Sequence, residues 1–228
     1  IKKIADEIRK KSKIFSQWMT LETGKTLAEG EAEASASADI FEWNAEETKR
    51  IYGQSLQSRF DNTKIQIIYQ PVGVVAALTP WNFPLAIFIG QVVAALVTGN
   101  SVIAKPAEQT SLIAARVIAL MHEAGVPSDA LILVPGAGET VGAALVRSEH
   151  VAAVIFTGST LAAKHIQRSL ADRSGPIIPL IAETGGLNAM VADSSALPEQ
   201  LVADVLHSAF GSAGQRCSAL RVLLLQSD

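Results

Sequence analysis

Apolar and polar positions alternate along this chain in two different rhythms. Up to about residue 58 the rhythm is helical. Ile1, Ile4 and Ile8, then Phe15, Trp18 and Met19, recur among charged residues. That spacing predicts an amphipathic helix over residues 1–22, ended by Gly24. Residues 31–58 carry a second helical pattern, with small residues first (AEASASAD) and then Ile40, Phe41 and Trp43. Its alanines permit close packing. Both helices read as cover for a neighbouring sheet.

From residue 66 the texture changes. Short β-branched or apolar runs predict strands at 65–70, 74–78, 101–105, 130–136, 152–158, 176–183, 188–193 and 221–226. Helical patterns at 85–99, 111–125, 139–148, 159–171 and 198–214 separate most of them. Strand–helix alternation at this spacing implies crossover connections and a mainly parallel sheet with helices on both faces. In such sheets ligands sit beyond the C-terminal strand ends. The loops PWNFP, KPAE and FTGST all follow predicted strands, so they are expected on one rim.

Composition narrows the function classes. Nineteen Lys+Arg against 22 Asp+Glu give a net charge of −3, which provides no long-range attraction to nucleic acid or anionic lipid. With one cysteine, an intrachain disulfide framework and a Cys-rich metal site are excluded, and a reducing, cytoplasmic setting is expected. The four histidines are scattered, so no metal site is expected. No secretory signal is visible, and the longest apolar runs are too short to span a bilayer. The chain opens mid-helix at Ile1 and closes on a newly started strand, so it reads as a segment of a longer polypeptide.

Several residues suggest chemistry. Cys217 follows a small, polar run, FGSAGQRC, rather than lying in an apolar stripe; a nearby helix end or Arg216 can tune a thiolate there. Asn82, between the prolines of TPWNFP, has Trp81 and Phe83 to shield it and an amide that can face a developing oxyanion. Glu183 precedes Thr184, Gly185 and Gly186 at a strand end, where a carboxylate can take a proton from water, the more so if buried. A nucleophile, a base and an amide donor are the minimum set for attack on a carbonyl. Gly158 and Ser159 of FTGST lie between a strand and a helix start, where free amides can hold a pyrophosphate. Lys105 ends another strand and Glu108 follows three residues on, a cation and a carboxylate suited to ribose hydroxyls. Each also has a plainer reading: a buried inert thiol, a turn asparagine, a capping carboxylate, a tight βα turn, a surface ion pair. A Cys217–His207 dyad is a further possibility from sequence.

Taken together and in order, TPWNFP, GNSVIAKPAEQT, VIFTGST, ETGG and GQRC resemble the aldehyde dehydrogenase superfamily over essentially the whole chain. The stretch from LIAETGG to GQRCSALRVL is most similar to the 1-pyrroline-5-carboxylate (glutamate semialdehyde) dehydrogenases, as in the aldehyde dehydrogenase module of bifunctional proline-utilisation flavoproteins. The resemblance implies a Rossmann-like α/β cofactor domain, incomplete at its N-terminus, over residues 1–205, and the truncated start of an α/β catalytic domain over 206–228. It implies NAD-dependent oxidation of glutamate 5-semialdehyde in proline catabolism, with NADP not excluded. Cys217 would be the nucleophile, Asn82 the oxyanion donor together with the Cys217 amide, and Glu183 the activator of the hydrolytic water. Lys105 and Glu108 would hold the adenosine ribose and Ser159 the pyrophosphate. Phe156, Thr157, Gly158, Thr79, Pro80, Trp81, Thr184 and Gly185 would surround the cofactor, with Phe83, Arg216 and Ser218 on the substrate. Ala163 and Leu187 depart from the commonest family pattern.

The same resemblance implies that nicotinamide-ribose contacts, a second carboxylate-anchoring loop and an oligomerisation strand follow Cys217 in relatives. The isolated chain is therefore expected to be inactive, with exposed apolar surface. Its expected partners are a small aldehyde, the rest of the same polypeptide or a flavin-dependent proline dehydrogenase module, and further copies when full length. Competing readings are a dehydrogenase for another small aldehyde such as succinate semialdehyde, an acyltransferase, and an inactive nucleotide-binding or scaffold fragment.

Overall fold

The computed structural model describes residues 1–227. Three helices come first: α1 (Lys2–Lys10), α2 (Ser12–Thr23) and α3 (Leu27–Glu47). A hairpin follows, β1 (Gln54–Gln57) against β2 (Lys64–Ile67). The α/β portion then runs β3 (Val74–Leu78), α4 (Ala86–Val97), β4 (Ser101–Lys105), α5 (Ser111–Glu123), β5 (Leu131–Leu133), α6 (Ala143–Arg147), β6 (Val151–Gly158), α7 (Thr160–Ala171) and β7 (Leu180–Thr184). The chain continues with β8 (Asn188–Ala192), α8 (Pro198–Phe210) and β9 (Leu220–Leu225).

Five strands form one sheet in the order β5-β4-β3-β6-β7, every pair parallel. The strands alternate their apolar side chains between two cores, as a period of two requires. Val75, Ala77, Val102 and Ala104 face the helices α1 to α5 through Ile4, Ile8, Phe15, Phe41, Phe88 and Ile113. Ala76, Leu78 and Val154 face the opposite way, against Val146 of α6 and Ile166 of α7. This is the mainly parallel α/β sheet, covered on both faces, that the alternation predicts.

The small residues of α3 do permit close packing. A side chain at Gly30 would place its Cβ 2.5 Å from the Ser16 hydroxyl and 3.0 Å from the Ser16 Cα. The Ser16 hydroxyl donates to the Leu27 carbonyl at 2.6 Å, stitching α2 to α3.

Four expectations are corrected. The first helical segment is two helices, parted at Lys11. The second ends at Glu47, and residues 54–57 are a strand rather than helix. The reason lies at Gly53, where a Cβ would come within 1.9 Å of the Ile67 carbonyl oxygen; the hairpin needs a glycine at that crossing. The last helix stops at Phe210, because Ser212 and Ala213 turn left-handed, both at φ 53°. Residues 188–192 do not join the main sheet. They pair in parallel with β9 as a separate two-stranded sheet, so the change of sheet falls at residues 185–187.

Apolar side chains are exposed along this last part, including Ile181, Val202, Leu206, Phe210, Leu224 and Leu225. Among the described residues no helix is long and apolar enough to cross a membrane.

Gly30→Val is expected to overpack the α2–α3 contact and cost about 1–3 kcal/mol. Urea denaturation measures it, and an unchanged midpoint would refute close helix contact at that position.

Candidate active site

The strand order reverses between β3 and β6. From β3 the chain moves outward to β4 and β5, and from β6 it moves the other way to β7. Loops leaving the two central strands therefore diverge and open a crevice at their C-terminal ends. A cleft of about 950 Å³ lies there. The loops after β3, β4, β6 and β7 all contribute to it, as their positions after predicted strands imply.

The structure brings most of the sequence-predicted residues to this one cleft. Cys217, Asn82 and Glu183 line it. So do Thr79, Pro80, Trp81, Lys105, Glu108, Phe156, Thr157, Gly158, Ser159, Thr184, Gly185 and Arg216. Phe83 lies beside it, its ring 5.8 Å from the Arg216 guanidinium carbon. Ser218 is exposed next to Cys217 and does not line the cleft. His207 sits on α8, away from the lining; the histidine that does line the cleft is His165 of α7. Cys217 and Glu183 are both exposed.

The cofactor side is built from local features. Ser159 caps α7, its hydroxyl accepting from the Ala162 amide at 3.1 Å. The other amides of that first turn have no helical partner and can meet an anion. Gly158 serves the adjoining aromatic ring rather than an unusual turn, since a Cβ there would meet Phe156 at 2.5 Å. Lys105 is buried at the end of β4, donating to the Pro106 carbonyl at 2.7 Å and lying 3.7 Å from Glu108. Burial pushes its ammonium below the ordinary lysine value, and Glu108 only partly offsets that. A cleft with a cation, a helix start and flanking apolar rings fits a dinucleotide.

The Cys217 side of the cleft is held in part by residues that the sequence did not single out, Glu29 and Asn188 among them. The Asn82 amide donates to the Gln215 carbonyl at 2.9 Å, tying the PWNFP loop to the loop before Cys217. Asn188 donates to the carbonyls of Cys217 at 2.7 Å and Ala219 at 2.9 Å. The left-handed turn at Ser212 and Ala213 is unfavourable for non-glycine residues, at about 1–2 kcal/mol each. Glu29 of α3 holds it, accepting from the Ser212 amide at 2.7 Å and the Ser212 hydroxyl at 3.0 Å, with Arg216 at 3.4 Å. The other oxygen of Glu29 completes a capping box with Thr26. Partial burial alone would raise the Glu29 carboxyl, but hydrogen bonds from Thr26 and Ser212 outweigh it and hold it below the usual carboxylate range.

One turn further along α3, Glu33 pairs with Lys25 in the interior. Glu33 also accepts from the amides of Leu85 at 2.9 Å and Ala86 at 3.1 Å, while Lys25 donates to the Asn82 carbonyl at 2.9 Å. A second cavity, about 350 Å³, adjoins the cleft and shares Trp81 and Asn82 with it. Its other walls include Lys25, Glu29, Phe210, Ser212 and Gln215. The expectation that the N-terminal helices are only cover is thus corrected. The available signal was the run GKTLAEGEAE, in which Thr26 and Glu29 have capping-box spacing and Glu33 follows one turn on. Among the described residues no group of three or more His, Cys, Asp or Glu is arranged to hold a metal ion.

The model of the aldehyde dehydrogenase family matches residues 1–228. This chain belongs to that family. It is 55% identical over 210 residues to the bifunctional protein PutA of Salmonella typhimurium, which covers 91% of the chain and 15% of that protein. It is 34% identical over 229 residues to the 1-pyrroline-5-carboxylate dehydrogenase of Geobacillus thermodenitrificans, covering 97% of the chain and 44% of that protein. Among solved structures, betaine aldehyde dehydrogenase from Staphylococcus aureus, in complex with NAD+ and with a modified cysteine, superposes with a TM-score of 0.94. It is 35% identical, covering 99% of this chain and 45% of that one. The chain therefore spans 15% of the length of the first relative and under half of the second.

The Glu29 carboxyl is held low in the folded chain. Its contribution to stability is therefore present above the ordinary carboxylate value and is lost as pH falls through the lowered folded value. In melting curves recorded from pH 6 down to about pH 3, Glu29→Gln should flatten the acid loss of Tm. Identical slopes for the two proteins would contradict this.

Proposed function

We propose that this chain supplies the cofactor cleft, the nucleophile, the oxyanion donor and the water activator of an NAD-dependent dehydrogenase. Its substrate is L-glutamate 5-semialdehyde, formed from 1-pyrroline-5-carboxylate in proline catabolism, and its product glutamate. The observation that carries the reading is the presence of Cys217, Asn82 and Glu183 on one cleft with a dinucleotide-suited wall. The similarity to PutA and to 1-pyrroline-5-carboxylate dehydrogenase supports the choice of substrate.

The Cys217 thiolate attacks the aldehyde carbon, forming a carbon–sulfur bond and an alkoxide. Asn82 keeps one amide N–H on the Gln215 carbonyl, and its second N–H donates to the alkoxide. NAD, when bound, supplies the acceptor for the hydride that leaves this carbon, and a thioester remains on Cys217. Glu183 removes a proton from water, which attacks the thioester; collapse expels the thiolate and releases the carboxylate. Lys105 and Glu108 would hold the adenosine ribose, and Ser159 with the α7 amides would hold the pyrophosphate. Phe156, Thr157, Gly158, Thr79, Pro80, Trp81, Thr184 and Gly185 line the cofactor's path. The aldehyde meets Cys217 in the main cleft, where Arg216 lies on the wall, and Phe83 and Ser218 are assigned to its carboxylate end by likeness to the family.

The exposed apolar faces of α8 and β9 support the proposal that the working enzyme is a longer polypeptide, with this segment joined to further catalytic structure and to a proline dehydrogenase module. The change of sheet at 185–187 supports a division between cofactor and catalytic units upstream of residue 205.

A polypeptide carrying this segment should form NADH from glutamate semialdehyde faster than from succinate semialdehyde, and faster with NAD than with NADP. Cys217→Ala should abolish turnover, and Asn82→Ala should lower kcat by about 10²–10³. Glu183→Gln should retain a first-turnover burst of NADH and lose the steady state. A Glu183→Gln variant with full steady-state turnover would remove Glu183 from the mechanism. The 228-residue chain alone should give no turnover; slow iodoacetamide labelling of Cys217 in the longer protein would favour a scaffold instead.

A further inference from the structure

Lys25 and Glu33 form an interior ion pair that the chemistry at Cys217 does not use. Their side chains are 4% and 1% exposed and pair directly. Withdrawing two charges from water costs several kcal/mol per ion, so such a pair is a poor source of stability on its own. It is, however, an exacting source of geometry, because every remaining donor and acceptor on the pair must also find a partner.

Those partners all belong to the loop that carries Asn82. The Lys25 ammonium donates to the Asn82 carbonyl at 2.9 Å and stands 4.0 Å from the centre of the Phe83 ring. Glu33 accepts from the amides of Leu85 and Ala86, the first free amides of α4, where no side chain of the helix itself supplies a cap. One ion pair thus grips residues 82, 83, 85 and 86, on both sides of Pro84. Lys25 holds the backbone carbonyl of Asn82, while the Gln215 carbonyl holds its side-chain amide.

We propose that Lys25 and Glu33 form a positioning pair for Asn82, setting where its unused amide N–H points without touching the substrate. The inference rests on the reading of Asn82 as the oxyanion donor. A donor moved by about 1 Å from a developing charge can lose on the order of 10²-fold in rate. The pair therefore acts on kcat through Asn82, while Lys105, Glu108 and Ser159, the residues that would grip the cofactor, lie on other elements.

The test uses the longer polypeptide that carries this segment. Lys25→Met or Glu33→Gln alone leaves a buried charge unpaired and destabilises the fold. The double variant K25M/E33Q removes both charges and carries the experiment. Expected are a Tm closer to wild type than either single variant, a kcat lowered by about 10–100-fold, an unchanged KM for NAD, and faster hydrogen exchange of amides 80–90 relative to 111–123. In the Asn82→Ala background the double variant should lower kcat no further, since the group it positions is gone. Wild-type kcat in the double variant, or a loss that multiplies with that of Asn82→Ala, would overturn the proposal. If the wild-type polypeptide oxidises no aldehyde, it is the functional reading that fails. The pair is then judged by exchange alone: faster exchange at 80–90 in the double variant sustains it, and unchanged exchange overturns it.

Discussion

The pairing of β3 with β6 is the constraint on which the rest of the molecule depends. These two strands lie side by side and parallel, yet the chain enters them some 75 residues apart and leaves them toward opposite edges of the sheet. Divergence opens the crevice; parallel direction puts every strand-end loop at the same rim. PWNFP, KPAE, FTGST and ETGG need no special affinity for one another to converge. The small residues of β3, Ala76 and Ala77, are fully buried between the two cores and allow helices to pack closely on both faces. The cleft is thus a product of topology before it is a product of any single side chain.

Convergence at a rim fixes strand ends to within a loop's length, which is too coarse to set one side chain against another. The finer placement comes from α3. Glu29 and Glu33 lie four residues apart and so share one face of the helix. The first reaches the turn before Cys217 and the second the start of α4 beyond Asn82. A rigid helix of 21 residues, packed through Ala34, Ala38 and Phe41, serves as the common reference for both loops. Asn82 and Gln215 then close the circuit between them. Polar groups on a helix that packs by its apolar face carry out the alignment that the sheet cannot supply.

Much of this was legible in the sequence, and the failures have physical causes. The five parallel strands were visible because buried strands read as short apolar runs and their crossover helices as periodic ones. The loops PWNFP, KPAE and FTGST were legible because they follow strands of a parallel sheet, and the remaining cleft residues came from likeness to the family. The Gln54–Gln57 strand was missed because QSLQ carries no apolar alternation and its pairing is decided by Gly53, a contact across the hairpin. The end of α8 was missed because Ser212 and Ala213 are ordinary helix residues by composition; their left-handed turn is imposed by Glu29. Lys25, Glu33 and Asn188 were missed because, apart from the pairing of Lys25 with Glu33, their side chains meet backbone atoms distant in the chain, and single-sequence periodicity reports a residue's face but not what that face will meet. The separate pairing of β8 with β9 is likewise a choice between sheets that strand composition leaves open.

The hold of Glu29 on Ser212 spans 183 residues. A chain leaves the ribosome from its N-terminus, so α3 is complete long before the turn it must shape exists. Until that distant closure is made, nothing compels Ser212 and Ala213 out of the helical conformation their neighbours favour, and Cys217 sits on a segment of undecided path. A contact of such separation forms late, after local helices and the central strands have reduced the loop to be closed. Nascent or partly unfolded chains therefore carry a thiol whose position is not yet set, and Cys217 takes its place on the cleft only once the two extremities of the segment have met.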